Sequence, residues 1–208
     1  TGYMGDADLG HVIIRTLETL AERGIQPIWA CDPVMGDTDR GLFVRESLPA
    51  FFREWAVPRA SIITPNLYEL GLLTGLPVDS PDRIRRACDT LHKRGPGIVL
   101  VTSVIHADTA DDRIEMLLST SSKGHYRITT PRLALDPPPN GAGDVTAALF
   151  TGHYLTSGDA VQALMRTADA MHALFKATQD AGTRELALIT TQSALRGDTR
   201  EFQAERLD

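Results

Sequence analysis

Short apolar segments alternate with helical patterns along the first half of the chain, and this alternation limits the possible folds more than any other feature. The apolar segments, each predicted to be a strand, are residues 25–31, 61–63 and 98–102. In the stretches around them, apolar residues recur every three or four positions, as in amphipathic helices. Strands that alternate with helices form a mostly parallel sheet with helices on both faces. The sequence therefore predicts an α/β fold of three layers.

Capping and breaking residues mark the ends of the predicted helices. The first helix covers residues 8–23 and stops at Gly24, with a predicted core face of Leu9, Val12, Ile13, Leu17 and Leu20. Further helices are predicted over residues 47–55, 66–75 and 82–94. Residues 34–45 are rich in Gly and Asp, which predicts a mobile loop.

The pattern changes in the second half of the chain. Residues 113–119 and 125–130 are predicted to be strands joined by a short turn, which places an antiparallel hairpin near one side of the sheet. Helices are predicted from residue 145, over residues 159–178 and over residues 184–195. Because the chain has no linker, internal repeat or low-complexity tract, we predict one domain over residues 1–208.

Composition and charge exclude several classes of function. A net charge of −6 gives no attraction to nucleic acid or to an anionic membrane surface, and no apolar run is long enough to span a bilayer. Cys31 and Cys88 have no metal-binding spacing and suggest no disulfide framework, which favours the cytoplasm. The chain begins at Thr1 instead of a methionine, and we expect that it lacks an N-terminal portion of its parent protein.

A glycine-rich turn leads into the helix predicted from residue 145. Gly141, Ala142 and Gly143 precede Asp144, after three prolines and Asn140. Glycine allows close approach of the backbone to a ligand, and the start of a helix attracts anions such as phosphate. Asp144 would then hold a substrate hydroxyl beside the phosphate and accept its proton. The alternative is a simple glycine-lined turn in which Asp144 is only a favourable charge in the first helical turn.

Polar residues follow three of the predicted strands at the same level. Asp32 follows the first strand, Thr64 to Glu69 the second, and Thr102 ends the third. In open α/β sheets the carboxyl edge of the strands binds ligands, and Asp32 and Glu69 would suit a magnesium–nucleotide site, since Mg²⁺ uses few carboxylates and keeps several waters. The alternative for Asn66 and Glu69 is a capping box, in which the two residues satisfy each other's N–H groups at a helix start.

These motifs together resemble the ribokinase superfamily, and within it the bacterial pyridoxal kinases. The GxxxxGK(S/T) pattern of P-loop kinases is absent. The resemblance covers essentially the whole chain. It depends on the Thr-Gly-Tyr opening, the Gly-Ala-Gly-Asp turn, and residues 31–37, 62–69 and 112–118.

The resemblance implies a ribokinase-like sheet and transfer of the ATP γ-phosphate to the 5′-hydroxyl of pyridoxal, with pyridoxine and pyridoxamine as further substrates. Asp144 would be the base and a substrate ligand, Tyr3 would line the pyridoxal pocket, and the N–H groups of residues 141–144 would form an anion hole. The residues implied to serve ATP and Mg²⁺ are Asp32, Thr64, Asn66, Glu69, Thr102 and, lying over the nucleotide, Thr130, Pro131, Arg132 and Leu133.

The resemblance also implies a monovalent cation, K⁺ or Na⁺, and a homodimer. One departure is Thr102, which stands where lysine is found in bacterial pyridoxal kinases. The three prolines before Asn140 are another, and they would stiffen the loop over the nucleotide.

Two alternatives remain. A hydroxymethylpyrimidine (phosphate) kinase has the same fold, but its glycine loop usually contains a cysteine, which is absent here. The other is a non-catalytic relative that binds a nucleotide or pyridoxal.

Overall fold

A computed structural model describes residues 1–136, 138–196 and 200–207. They form two compact units. The first unit comprises Thr1–Thr102 with Ser119–Lys123, and the second comprises Ser103–Leu118 with Gly124–Asp208. The prediction of one domain over residues 1–208 stays a prediction.

The first unit is built around short parallel strands. Its strands are β1 (Ala30–Cys31), β2 (Gly36–Asp37), β3 (Gly41–Leu42), β4 (Ile62–Ile63) and β5, which starts in this unit (Ile98–Val104). β4 lies between β1 and β5 and is parallel to both, whereas β2 and β3 form a separate antiparallel hairpin. The parallel order agrees with the predicted sheet, and the hairpin lies in the segment predicted to be a loop.

The helices of the first unit lie close to their predicted positions. They are α1 (Ala7–Glu22), α2 (Ser47–Phe51), α3 (Leu67–Thr74) and α4 (Pro81–His92), and a π-helical turn (Phe52–Ala56) continues α2. The fully buried side chains that fill this core come from every layer, and they include Met35, Leu48, Phe52, Ile62, Ile63, Leu70, Ile84, Leu91 and Leu100.

Two predictions at the start of the chain are wrong in detail. The strand predicted over residues 25–31 shrinks to Ala30–Cys31, because Ile25 and Ile28 are exposed and Pro27 between them has no N–H group to donate. The buried residues of α1 are Gly10 and Ile14, whereas Leu9 and Val12 are about half exposed. Gly10 decides this face, because a Cβ atom there would lie 2.3 Å from the ring of Phe51.

The second unit combines three strands with two long helices. Its elements are β6 (Arg113–Thr120), α5 (Ala142–Ser157), α6 (Ala160–Ala181), β7 (Gly124–Pro131) and β8 (Glu205–Leu207). β6 and β7 are neighbours, as predicted, and β8 adds an antiparallel strand along residues 125–127 of β7. Asp159 caps α6 by accepting hydrogen bonds from the N–H groups of Val161 and Gln162.

The helix predicted over residues 184–195 is wrong. The segment consists of turns followed by a single 3-10 turn (Ala194–Arg196). Thr178 explains part of the difference, since its hydroxyl accepts the N–H of Ala187 and diverts it from a helical partner. Ile189 is 84% exposed, so a helix here would bury little apolar surface.

Two further points concern the whole chain. No helix among the described residues is long and apolar enough to cross a bilayer. Of the three prolines that were predicted to stiffen the loop over the nucleotide, Pro137 lies outside the described residues.

Candidate active site

Five of the predicted site residues come together in the first unit, at the carboxyl ends of β1, β4 and β5. This carboxyl-edge cluster consists of Asp32, Thr64, Asn66, Glu69 and Thr102. The Thr64 hydroxyl donates a hydrogen bond to Asp32 Oδ1 at 2.9 Å, and both residues are buried. Asn66, which lies beyond the end of β4, forms an isolated parallel bridge with Thr102 of β5. The convergence expected from the strand order is therefore present.

Asn66 and Glu69 form the capping box of α3. Asn66 Oδ1 accepts the N–H of Glu69 at 2.9 Å, and Glu69 Oε2 accepts the N–H of Asn66 at 2.9 Å. The structural alternative that the sequence left open is thus real. The capping box leaves part of the Asn66 side chain for another contact, because its amide nitrogen also donates to the carbonyl oxygen of Gly36 at 2.7 Å.

Glu69 also holds the loop that follows β1. Its Oε1 atom accepts hydrogen bonds from the N–H groups of Met35 at 2.8 Å and Gly36 at 3.4 Å. Burial raises the pKa of Glu69 to about 7, although the N–H groups of Asn66 and Met35 act in the opposite direction. One carboxylate therefore joins the start of α3 to the β2–β3 hairpin.

Gly36 is a site residue that was not singled out by sequence reasoning. A Cβ atom at this position would lie 2.3 Å from the carbonyl oxygen of Gly41 and 2.7 Å from the ring of Tyr68. Only glycine lets the two hairpin strands and α3 approach so closely. The available signal was the run of residues 31–37, which had contributed to the family resemblance as a block.

The oxygen ligands of the carboxyl-edge cluster suit a Mg²⁺ ion that keeps its water ligands better than one coordinated directly by protein side chains. Among the described residues, no group of three or more His, Cys, Asp or Glu side chains could hold a metal. Both oxygens of Glu69 already accept N–H groups. Mg²⁺ commonly keeps several waters and binds phosphate as well as one or two carboxylates. Asp32 and Glu69 fit such an ion through water.

The glycine turn of the second unit starts α5. Gly141 is the N-cap and has a left-handed backbone with φ of 84°. Since glycine has no side chain that could accept the N–H groups of the first helical turn, those groups stay available for an anion. Asp144 lies in this first turn and is exposed. The arrangement has the chemical parts of an anion site with a base beside it.

The segment Thr130 to Leu133 consists of the last two residues of β7 and the two residues that follow it. The N–H of Arg132 donates to the carbonyl oxygen of Asp112 at 2.8 Å, and the side-chain amide of Gln179 on α6 donates to the carbonyl oxygen of Ala134 at 2.9 Å. The C-terminal end of the segment is thus held by hydrogen bonds within the second unit.

Tyr3 lies in the first unit, on a segment that runs beside β1. The N–H of Asp32 donates to the carbonyl oxygen of Thr1 at 2.8 Å, and the Trp29 indole donates to the Thr1 hydroxyl at 3.0 Å. The side chain of Tyr3 is 63% exposed. Its place in a pyridoxal pocket stays a prediction.

Comparisons of the sequence with known proteins identify a family model and several relatives. A family model described as phosphomethylpyrimidine kinase matches residues 1–187. The chain is 41% identical to pyridoxal kinase PdxY of Corynebacterium diphtheriae over 207 residues, which are 100% of the chain and 72% of that protein. It is 40% identical to pyridoxal kinase PdxY of Deinococcus radiodurans, again over 100% of the chain, and covers 71% of that protein.

A solved structure gives the same result for the fold. The pyridoxal kinase of Leishmania donovani in complex with ADP and pyridoxine matches 100% of this chain with a TM-score of 0.86 at 26% identity, and 72% of that chain is covered. The predicted ribokinase-like fold is confirmed. By sequence and by fold, the chain belongs to the pyridoxal kinases.

Proposed function

We propose that this protein transfers the γ-phosphate of ATP to the 5′-hydroxyl of pyridoxal, giving pyridoxal 5′-phosphate, with Asp144 as the base. The observation that carries the proposal is the start of α5, where a left-handed Gly141 leaves helix N–H groups available one turn from an exposed carboxylate. The relatives reported above are pyridoxal kinases, which supports the choice of substrate.

The reaction forms a bond between the 5′-oxygen and the γ-phosphorus and breaks the bond from that phosphorus to the bridging oxygen of ADP. Asp144 accepts the hydroxyl proton. The N–H groups of Gly141, Ala142, Gly143 and Asp144 donate to the phosphoryl oxygens as charge builds up on them. Phosphoryl transfer asks a protein mainly for positioning and for stabilisation of charge, and one such donor contributes about 3–4 kcal/mol in comparable anion holes.

Asp32, Thr64, Asn66, Glu69 and Thr102 bind ATP and its Mg²⁺ ion, and the segment from Thr130 to Leu133 lies over the nucleotide. Support comes from the buried hydrogen-bond network of the carboxyl-edge cluster. When bound, Mg²⁺ supplies positive charge beside the phosphates. Tyr3 contacts the pyridoxal ring, a K⁺ or Na⁺ ion accompanies the nucleotide, and the protein acts as a cytoplasmic homodimer.

Phosphorylation of hydroxymethylpyrimidine or its phosphate is the second candidate, since the matching family model is described as phosphomethylpyrimidine kinase. Against it stands Ala142 in a glycine loop that contains no cysteine.

The test is an ATP-dependent assay of the full-length protein on pyridoxal and on hydroxymethylpyrimidine, with each product identified by mass spectrometry. We expect pyridoxal 5′-phosphate, with kcat/KM at least tenfold higher for pyridoxal. A preference for the pyrimidine selects the second candidate, and no turnover of either compound refutes both.

A further inference from the structure

A buried carboxylate in the second unit has no role in the function proposed above. Glu115 lies in β6, within the stretch of residues 112–118 that resembles pyridoxal kinases, and it is 7% exposed. A buried carboxylate is costly unless donors or cations surround it. Three side chains from other parts of the unit meet this requirement, namely those of His106, Arg127 and Thr129.

His106 faces Glu115 with its Nε2 atom. The N–H of Asp108 donates to His106 Nδ1 at 3.2 Å, so this nitrogen carries no proton. The proton is therefore on Nε2, which lies 3.4 Å from Glu115 Oε2. The Asp108 carboxylate approaches Nδ1 only to 3.9 Å and is largely exposed. Glu115 thus fixes the loop that leaves β5 through the ring of His106.

Arg127 supplies the charge that balances Glu115. Its Nη1 atom lies 3.7 Å from Glu115 Oε1, and its Nη2 atom lies 2.7 Å from Glu205 Oε2. Glu115 is buried, whereas the side chain of Glu205 is 64% exposed. The pair with Glu205 is the shorter one and is hydrogen-bonded, but screening by water weakens it because Glu205 is exposed. Glu115 is buried and depends on the arginine for a countercharge.

Residues 112–115 also contact the segment that is assigned to the nucleotide. The Thr129 hydroxyl donates to Glu115 Oε1 at 3.4 Å, and the Thr130 hydroxyl donates to the carbonyl oxygen of Ile114 at 3.5 Å. The third contact is the hydrogen bond from the Arg132 N–H to Asp112. Contacts with the start of β6 therefore set the position of residues 129–132. Glu115 is the buried charged group among these contacts.

We propose that Glu115 is a positioning residue for the nucleotide, which it serves by holding β7 and the loop of His106 so that residues 130–133 are preorganised. This inference rests on the proposed assignment of residues 130–133 to ATP. Glu115 does not touch the substrates. Its removal takes away the carboxylate that lies beside His106 Nε2 and Arg127 Nη1, and the segment then has to be ordered when the nucleotide binds.

The first experiment compares Glu115→Gln with Glu205→Gln, which removes the other carboxylate that contacts Arg127. For Glu115→Gln we expect the KM for ATP and the Kd for ADP, measured by calorimetry, to rise about tenfold. The kcat and the KM for pyridoxal stay within about twofold. For Glu205→Gln all four constants stay within about twofold of the wild type.

A second pair of variants tests the same contact from the other side. His106→Gln keeps a side-chain N–H near the position of Nε2, whereas His106→Ala removes it. We expect the glutamine variant to have a nearly normal KM for ATP and the alanine variant to show the same rise as Glu115→Gln. This pair also decides the matter if Glu115→Gln does not yield folded protein.

An unchanged KM for ATP in Glu115→Gln and His106→Ala overturns the proposal. A loss of activity that only matches the loss of folded protein, with no selective change in the KM for ATP or the Kd for ADP, also overturns it. Leu133→Ala tests the assignment of the segment separately. If it leaves the KM for ATP unchanged, that assignment fails and the route through residues 130–133 fails with it. The choice of pyridoxal as substrate is decided independently by product identification.

Discussion

The carboxyl-edge cluster and the start of α5 are both assigned to phosphoryl transfer, but they use their polar groups in opposite ways. In the cluster, Glu69 accepts three N–H groups and Asn66 takes part in four hydrogen bonds. At the start of α5, the capping residue Gly141 has no side chain, and Asp144 is exposed. The polar groups of the cluster are hydrogen-bonded to the protein itself, whereas the N–H groups and the carboxylate at the start of α5 are available for a ligand.

This difference predicts how the two regions respond to substitution. A change in the cluster alters folding and nucleotide binding together, because the same hydrogen bonds serve both. Loss of the exposed Asp144 side chain at the start of α5 alters the reaction with little effect on stability, whereas a change at Gly141 alters both because of its left-handed backbone. The following predictions test this separation, beginning with the largest expected effect.

Asp144→Ala removes the base without removing a structural contact. We expect kcat to fall by about 10²–10⁴-fold, while the Kd for ADP stays within about threefold and the melting temperature changes little. Steady-state assays, calorimetry and thermal unfolding measure the three quantities. Retained turnover would show that Asp144 is not the base.

Gly141→Ala forces a side chain into a left-handed backbone, with φ of 84°. The strain destabilises the fold by about 1–2 kcal/mol, and we expect a further loss of about tenfold in kcat because the N–H groups of the anion hole shift. Gly158→Ala is the matched control, since Gly158 ends the same helix with φ of 68° and neither glycine has an atom within 4 Å of an added Cβ. The control should lose similar stability and keep its kcat. Equal kcat values in the two variants would contradict an anion hole at Gly141.

Glu69→Gln should change how stability depends on pH. Because burial raises the folded pKa of Glu69 to about 7 from its ordinary value of 4.5, the fold favours the neutral acid. Its contribution is complete below about pH 4.5 and is lost as the pH rises through 7.

The wild-type free energy of unfolding, measured in urea without Mg²⁺, should therefore fall between pH 5 and pH 8 by on the order of 2 kcal/mol more than that of Glu69→Gln. Glu18→Gln, which changes an exposed carboxylate, serves as the control. Parallel pH curves for the wild type and Glu69→Gln would exclude a raised pKa.

Asn66→Ala removes the side-chain cap of α3 and the contact with Gly36. We expect a loss of about 1 kcal/mol in stability and a severalfold rise in the KM for Mg²⁺–ATP. Asp159→Ala removes the corresponding cap of α6 and should lower stability alone. If Asn66→Ala also lowers stability alone, then Asn66 has only a capping role.

The parts of the fold that were predicted correctly depend on local signals. The bounds of α3 followed from Asn66, Glu69 and the left-handed Gly75, all within ten residues. The start of α5 was visible in the same way. The errors arose where a segment has apolar character but no partner to bury it, as in residues 25–28 and 184–195, because exposure is decided by neighbours distant in the chain.

The sequence by itself determined the α/β class, the capping box of α3 and the helix start that presents Asp144. Each of these is specified by side chains a few residues apart, and the interactions involved are short in sequence as well as in space. Burial of Glu69 against Met35, the close approach at Gly36 and the network around Glu115 were decided only by the tertiary structure. They join residues that lie between 5 and 34 positions apart along the chain. Such contacts form only after the strands have paired in the correct register.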